Sequence, residues 1–129
     1  MQTEQDQIHE FMVKAGQATP DRPTMPSAEV RALRVRLIAE ELVELAQALG
    51  VNILIDTDSG QDVPEIHVHA KANITVDYPT NLVEAYDAVQ DILVVTIGTG
   101  IAMGTDLQPG WDAVHASNMA KFGPGGFRR

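Results

Sequence analysis

The apolar positions of this chain change period along its length. From Thr3 to Ala15, residues Ile8, Phe11, Met12 and Ala15 recur at helical spacing, and Gly16 follows as a stop. Ala18 to Pro26 carries Pro20, Pro23 and Pro26 and reads as a loop. Ser27 is placed to cap a long helix running to Leu49, with Gly50 as its C-terminal stop. Asn81, with Glu84 three residues on, resembles a capping box in which Asn replaces Ser or Thr. It opens a second long helix to about Met103, ending at Gly104. A shorter helix is predicted from Gln108 to Lys121, and Gly123-Pro124-Gly125-Gly126 reads as coil.

Between the long helices the period changes to two. Val51-Asn52-Ile53-Leu54-Ile55 has strand character, and Glu65 to Asp77 alternates polar and apolar residues without a break. The linking segment Asp56 to Asp62 is turn-forming. Its aspartates faintly resemble a calcium loop, but the Gly comes one place early and His67 stands where a bidentate Glu belongs. The prediction is a mainly α domain over residues 1–122, with a β-hairpin inserted at about 51–77 and a flexible tail at 123–129. His67 and His69 share one face of the second strand. A zinc site there needs further ligands that the sequence does not obviously supply, so both read as surface residues.

The chain has 129 residues, 44% hydrophobic and 21% charged, and no cysteine, which rules out disulfides and thiolate metal sites. No apolar run is long enough for a membrane span, and no signal-like start is present, so a cytoplasmic location and no membrane partner are expected. The net charge of −9 argues against direct nucleic-acid binding. It leaves room for a phosphorylated small molecule held through a divalent cation.

The acids themselves are arranged in two sets. On a helix, Glu40, Glu41 and Glu44 fall within an arc of about 100°, and Val30, Leu33, Leu37 and Ala48 project from about the same arc. Glutamates that interrupt an apolar stripe need a reason that solvated ones do not. On the second helix Glu84, Asp87 and Asp91 share a face continued by Ala88, Val95, Gly98 and Ala102, whose small members let a partner helix come close. Two like charges ~5 Å apart repel by roughly 3 kcal/mol at an effective dielectric of about 20. If the two faces meet, the acids must be protonated or hold a cation. All-oxygen ligands suit magnesium or manganese. The plainer alternative makes them salt-bridge partners of Arg31, Arg34 and Arg36.

At these residues the chain resembles the MazG-like, all-α nucleoside triphosphate pyrophosphohydrolase superfamily. The matching pieces are Glu40-Glu41-Leu42-Val43-Glu44 and Glu84-Ala85-Tyr86-Asp87. Ile8-His9-Glu10-Phe11, Ala18-Thr19-Pro20-Asp21-Arg22-Pro23 and Val114-His115-Ala116-Ser117-Asn118-Met119-Ala120-Lys121 resemble its dUTPase-like branch. The resemblance implies hydrolysis of a nucleoside triphosphate to monophosphate and pyrophosphate, with Mg2+ or Mn2+, by a homodimer or homotetramer. It implies Glu41, Glu44, Glu84 and Asp87 as metal ligands, and Glu40 as holder of a further metal or orienter of the attacking water. Asp91 is a ligand or a support for one.

On the last helix Trp111, Val114, His115, Asn118 and Lys121 fall on one side. The motif makes His115, Asn118 and Lys121 the substrate-binding residues, with Asn118 and Lys121 toward phosphates or sugar, and Trp111 reads as core or interface. The hairpin departs from the family pattern and bears on base specificity. Among the family's dUTP hydrolases, broad house-cleaning enzymes and phage-encoded dGTP diphosphatases of the MazZ type, the reading leans to dGTP or GTP. A phage-encoded member would act in the host cytoplasm. Two rivals of another kind are a di-iron carboxylate bundle, disfavoured because Glu44 and Asp87 stand where Glu-x-x-His pairs need histidine, and a non-catalytic metal-dependent nucleotide-binding module.

Overall fold

The computed structural model describes residues 1–58, 60, 62, 65–75 and 78–127. Its elements are α1 (Glu4–Lys14), α2 (Ala28–Ala48), β1 (Val51–Thr57), β2 (Ile66–Ala72), α3 (Leu82–Ala102), α4 (Leu107–Met119), β3 (Phe122–Gly123) and β4 (Gly126–Phe127). The fold is thus mainly helical with a hairpin between the two long helices, as the periods predict. No single helix among the described residues is long and apolar enough to cross a membrane. The chain divides into two compact units, one of Met1–Arg31 with Thr96–Arg129 and one of Ala32–Val95.

The first unit is built on caps and one small apolar cluster. Thr3 caps α1 by accepting from the Asp6 amide at 3.1 Å while its own amide donates to the Asp6 carboxylate at 2.9 Å. Those bonds hold the Asp6 carboxyl below its ordinary range. Ser27 caps α2 by accepting from the Val30 amide at 3.3 Å. Met12, Ile101 and Ala102 are buried, with Ile8, Val30 and Ile97 packed on them. Gln5 ties α1 to the turn after α3. Its amide nitrogen donates to the Thr105 carbonyl at 2.9 Å and its oxygen accepts from the Leu107 amide at 3.0 Å. Gly104 ends α3 at φ +68°, and a side chain there would run into the Arg22 carbonyl.

In the second unit the ends of the hairpin are clamped to the helices. Gly50 leaves α2 at φ +67°, with the Tyr78 ring and Thr80 methyl packed where a Cβ would lie. Its carbonyl accepts from the Asn73 amide at 2.8 Å, and the Ala48 carbonyl accepts from the Asn81 amide at 2.9 Å. Asn81 then caps α3, its side chain accepting from the Glu84 amide at 3.0 Å. The strands pair antiparallel from Val51↔Ala72 to Thr57↔Ile66.

Several boundaries differ from the sequence reading. The second strand stops at Ala72: one further bond runs from the Asn73 amide to the Gly50 carbonyl, and Gly50 at φ +67° then turns the partner chain back into α2. Asn73 instead forms a local turn, accepting from the Thr75 amide and hydroxyl. The expected strand residues Val76 and Asp77, the turn residues Ser59 and Gln61, and the tail residues Arg128 and Arg129 lie outside the described residues. Helix α4 begins at Leu107, not Gln108, because Asp106 supplies the cap to the Gln108 amide at 3.1 Å. It ends at Met119, so Lys121 lies just beyond it. Gly123 to Gly126, expected as coil, belongs to a hairpin of two residues per strand in which Phe122 pairs with Phe127 and Gly123 with Gly126, the latter at φ +105°.

Candidate functional site

Within the second unit α2 and α3 run antiparallel. Residue 48 bonds to residue 81 at one end, and the Arg34 guanidinium donates to the Val95 carbonyl at 2.8 Å at the other. Close approach is possible because the buried side chains here are alanines, Ala46, Ala48, Ala85 and Ala88. Arg34 is buried, and removal from water lowers its pKa.

Between these two levels the predicted acidic faces meet. One carboxylate oxygen each from Glu41, Glu44 and Asp91 lies within 4.8 Å of the others. Glu41 Oε2 is buried and has no hydrogen-bond partner. Burial is the main cause that raises the Glu41 pKa, and the adjoining Glu44 carboxylate adds to it, then Asp91 and Glu40. Asp91 is raised chiefly by burial, then by Asp87 and Glu44. Next to this trio, Glu44, Gln47, Glu84, Asp87 and Ala88 line a cleft of about 310 Å³. Glu44 therefore belongs to both groups.

Among the described residues no ion pair joins Glu41, Glu44, Glu84, Asp87 or Asp91 to a cation. The salt-bridge alternative holds for Glu40 alone, which is exposed and lies 3.6 Å from Arg36 Nε one turn back. Glu40 is thus beside the inward trio rather than in it. A buried carboxylate oxygen without a donor, set among further carboxylates, is met by a proton shared with a neighbouring acid or by a hard divalent cation, and the all-oxygen set suits such a cation. His115 and Asn118 are exposed on α4, and Lys121 Nζ donates to Asn118 Oδ1 at 3.4 Å. These three belong to the first unit, the acids to the second. Trp111, read as core or interface, is 71% exposed in the single chain.

Sequence reasoning gave Asp91 no fixed role and missed Gln47. Both signals were present: Asp91 is one turn beyond Asp87, and Gln47 is three residues after Glu44 on the cleft side.

A family model described as phosphoribosyl-ATP pyrophosphohydrolase matches residues 8–118, and the chain belongs to that family, within the all-α MazG-like superfamily. It is accordingly a pyrophosphohydrolase with a nucleotide substrate. The search of curated proteins returned no match.

Proposed function

We propose that the chain is a divalent-metal-dependent nucleoside triphosphate diphosphatase that releases pyrophosphate and leaves a nucleoside monophosphate, with dGTP or GTP the favoured substrates. The observation that carries this reading is the orphaned, buried Glu41 oxygen within a carboxylate trio that adjoins the Glu44–Glu84–Asp87 cleft. Glu41, Glu44, Glu84 and Asp87 would hold Mg2+ or Mn2+, with Asp91 at the dry end. A divalent cation held by these residues would supply positive charge against the triphosphate and the leaving pyrophosphate. Glu40, exposed beside the cage, is the group suited to orient the attacking water and take its proton. The family resemblance is what makes Asn118, Lys121 and His115 the residues that would offer donors to phosphate or sugar.

The α-phosphorus is the site of attack in this scheme. Hydrolysis in oxygen-18 water should place label in the monophosphate only. Label confined to pyrophosphate would mean β-attack, and inorganic phosphate as first product would mean γ-attack; either outcome sinks the mechanism. Glu40→Gln should keep nucleotide binding and lose at least ~100-fold in turnover.

Membership of the phosphoribosyl-ATP pyrophosphohydrolase family supports a second reading, in which the triphosphate carries a further phosphoribosyl group. The dUTPase-like branch supplies a third, dUTP. A panel of the common triphosphates with phosphoribosyl-ATP, each with Mg2+ and with Mn2+, ranks them by kcat/KM. Absence of pyrophosphate release from every member would leave the non-catalytic nucleotide-binding module.

The same reading includes a homodimer or homotetramer. Leu82, Tyr86, Val89 and Leu93 follow one another at spacings of four, three and four along α3, and all are exposed in the single chain. That is the spacing of a helix-packing seam. The buried side chains of this unit are mostly alanines, each of which contributes little apolar area. A second copy laid on the seam would supply what the single chain lacks. A monomer in sedimentation at micromolar concentration would contradict this.

A further inference from the structure

The hairpin gathers a second set of metal-ligating side chains, chemically unlike the acid cage. Its register pairs Asp56 with His67. One further backbone bond, from the Asp58 amide to the Glu65 carbonyl at 3.1 Å, extends the ladder past the end of the strands. Alternation along paired strands then puts Asp56, Asp58, Glu65, His67 and His69 on one face. His67 Nε2 lies 3.0 Å from Asp58 Oδ2 and 4.0 Å from Glu65 Oε2. The next rung repeats the motif, with His69 Nε2 3.6 Å from Asp56 Oδ2 and the two imidazoles stacked at 6.4 Å.

Two features of this face call for a cation. Asp58 and Glu65 stand directly opposite across an antiparallel ladder, where like charges repel. A proton on His67 would set one positive charge against the carboxylates of Asp56, Asp58 and Glu65. A divalent ion would set two, and would use the imidazole lone pair as well. The spacing also fits. Tetrahedral ligands at bond lengths of about 2.0–2.2 Å lie roughly 3.3–3.6 Å apart, and the 3.0 and 4.0 Å separations from His67 bracket that edge. One donor atom from each of Asp58, Glu65 and His67 already lies within 4.8 Å of the others. One imidazole with two carboxylates is a donor set for zinc-class ions, whereas magnesium favours oxygen alone.

We propose that Asp58, Glu65 and His67 form a second metal site, for a borderline divalent ion of the zinc class, with a fourth position left to water or to the Asp56–His69 rung. The ion would staple the open end of the two strands, and an isolated hairpin is marginal in water without such help. The proposal stands apart from the hydrolase reading, since it uses none of the acids between α2 and α3.

The test is a zinc titration of the full chain carrying nitrogen-15 histidine, followed through the imidazole nitrogens in the presence of excess magnesium. The His67 resonances should move and saturate at one equivalent, while His9 and His115 stay in place. Glu44→Gln, which alters the acid cage, should leave that response intact. Asp58→Asn and His67→Gln should each weaken the site at least ten-fold with the helical circular dichroism unchanged. His67 nitrogens that do not move at about a hundred micromolar zinc, a scale set by weak exposed sites, would overturn the proposal. So would a response spread equally over all the histidines, or full zinc stoichiometry in His67→Gln.

Discussion

Replacing Glu41 by Gln tests the acid cage without relying on turnover. In the metal-free chain Glu41 faces Glu44 and Asp91 across at most 4.8 Å. At that distance each like-charge pair costs roughly 3.5 kcal/mol at an effective dielectric of 20, and about 0.9 kcal/mol if water screens it fully. The Glu41 oxygen is buried but Glu44 is exposed, so water screens part of the repulsion. The expected gain for Glu41→Gln in EDTA is therefore toward the lower end, about 1–2 kcal/mol. For a chain of this size that is a rise in Tm of roughly 3–10 °C. In magnesium the order should reverse. The parent chain gains about 2.7 kcal/mol at a hundred times its Kd, and the variant, short of a ligand, gains little. Urea unfolding of both proteins in EDTA and in saturating Mg2+ gives the four values required. A variant that loses more than about 1 kcal/mol in EDTA would show that Glu41 has a stabilising partner. Equal stabilisation of both proteins by magnesium would show that Glu41 is not a ligand. Either result refutes the cage.

The same carboxyls set a pH dependence. Glu41 and Asp91 have folded pKa values raised above those of the unfolded chain, so their ionisation costs stability, fully above the raised values and less as pH falls through them. Metal-free stability should rise as pH is lowered from neutral toward the ordinary carboxylate range, and this slope should flatten in Glu41→Gln. Magnesium affinity should fall over the same window, as protons compete for the ligands, which calorimetry at three pH values can check. Asp6 and Glu10, whose pKa values are lowered, act in the opposite sense at more acidic pH. Arg34→Ala removes a buried donor from the Val95 carbonyl and should cost roughly 2–4 kcal/mol by urea unfolding; a loss under about 0.5 kcal/mol would make the contact idle. Gly104→Ala adds a clash with the Arg22 carbonyl to left-handed strain, whereas Gly16→Ala at φ +73° meets nothing within 4 Å. The first should lose at least about 3 kcal/mol and the second about 1–2; equal losses would remove the close approach as the cause.

What the sequence determined by itself was local. The two periods, the caps Thr3, Ser27 and Asn81, and the glycine stops each act within one turn or one strand, so helices and hairpin are legible without neighbours. The acidic faces were legible too, because glutamates on an apolar arc conflict with burial. Tertiary structure decided which acids meet. The Ala48–Asn81 and Arg34–Val95 bonds fix the helix register, and that register brings Asp91 to Glu41 and leaves Glu40 outside with Arg36. Periodicity gives each side chain an angle around its own helix, but no height against the other. The same holds for the hairpin. Alternation predicted a strand to Asp77, yet strand length depends on a partner, and β1 ends the pairing at Ala72. The sequence shows no partner for His67 because Asp58 is nine residues away, and only the cross-strand register sets that carboxylate beside the imidazole.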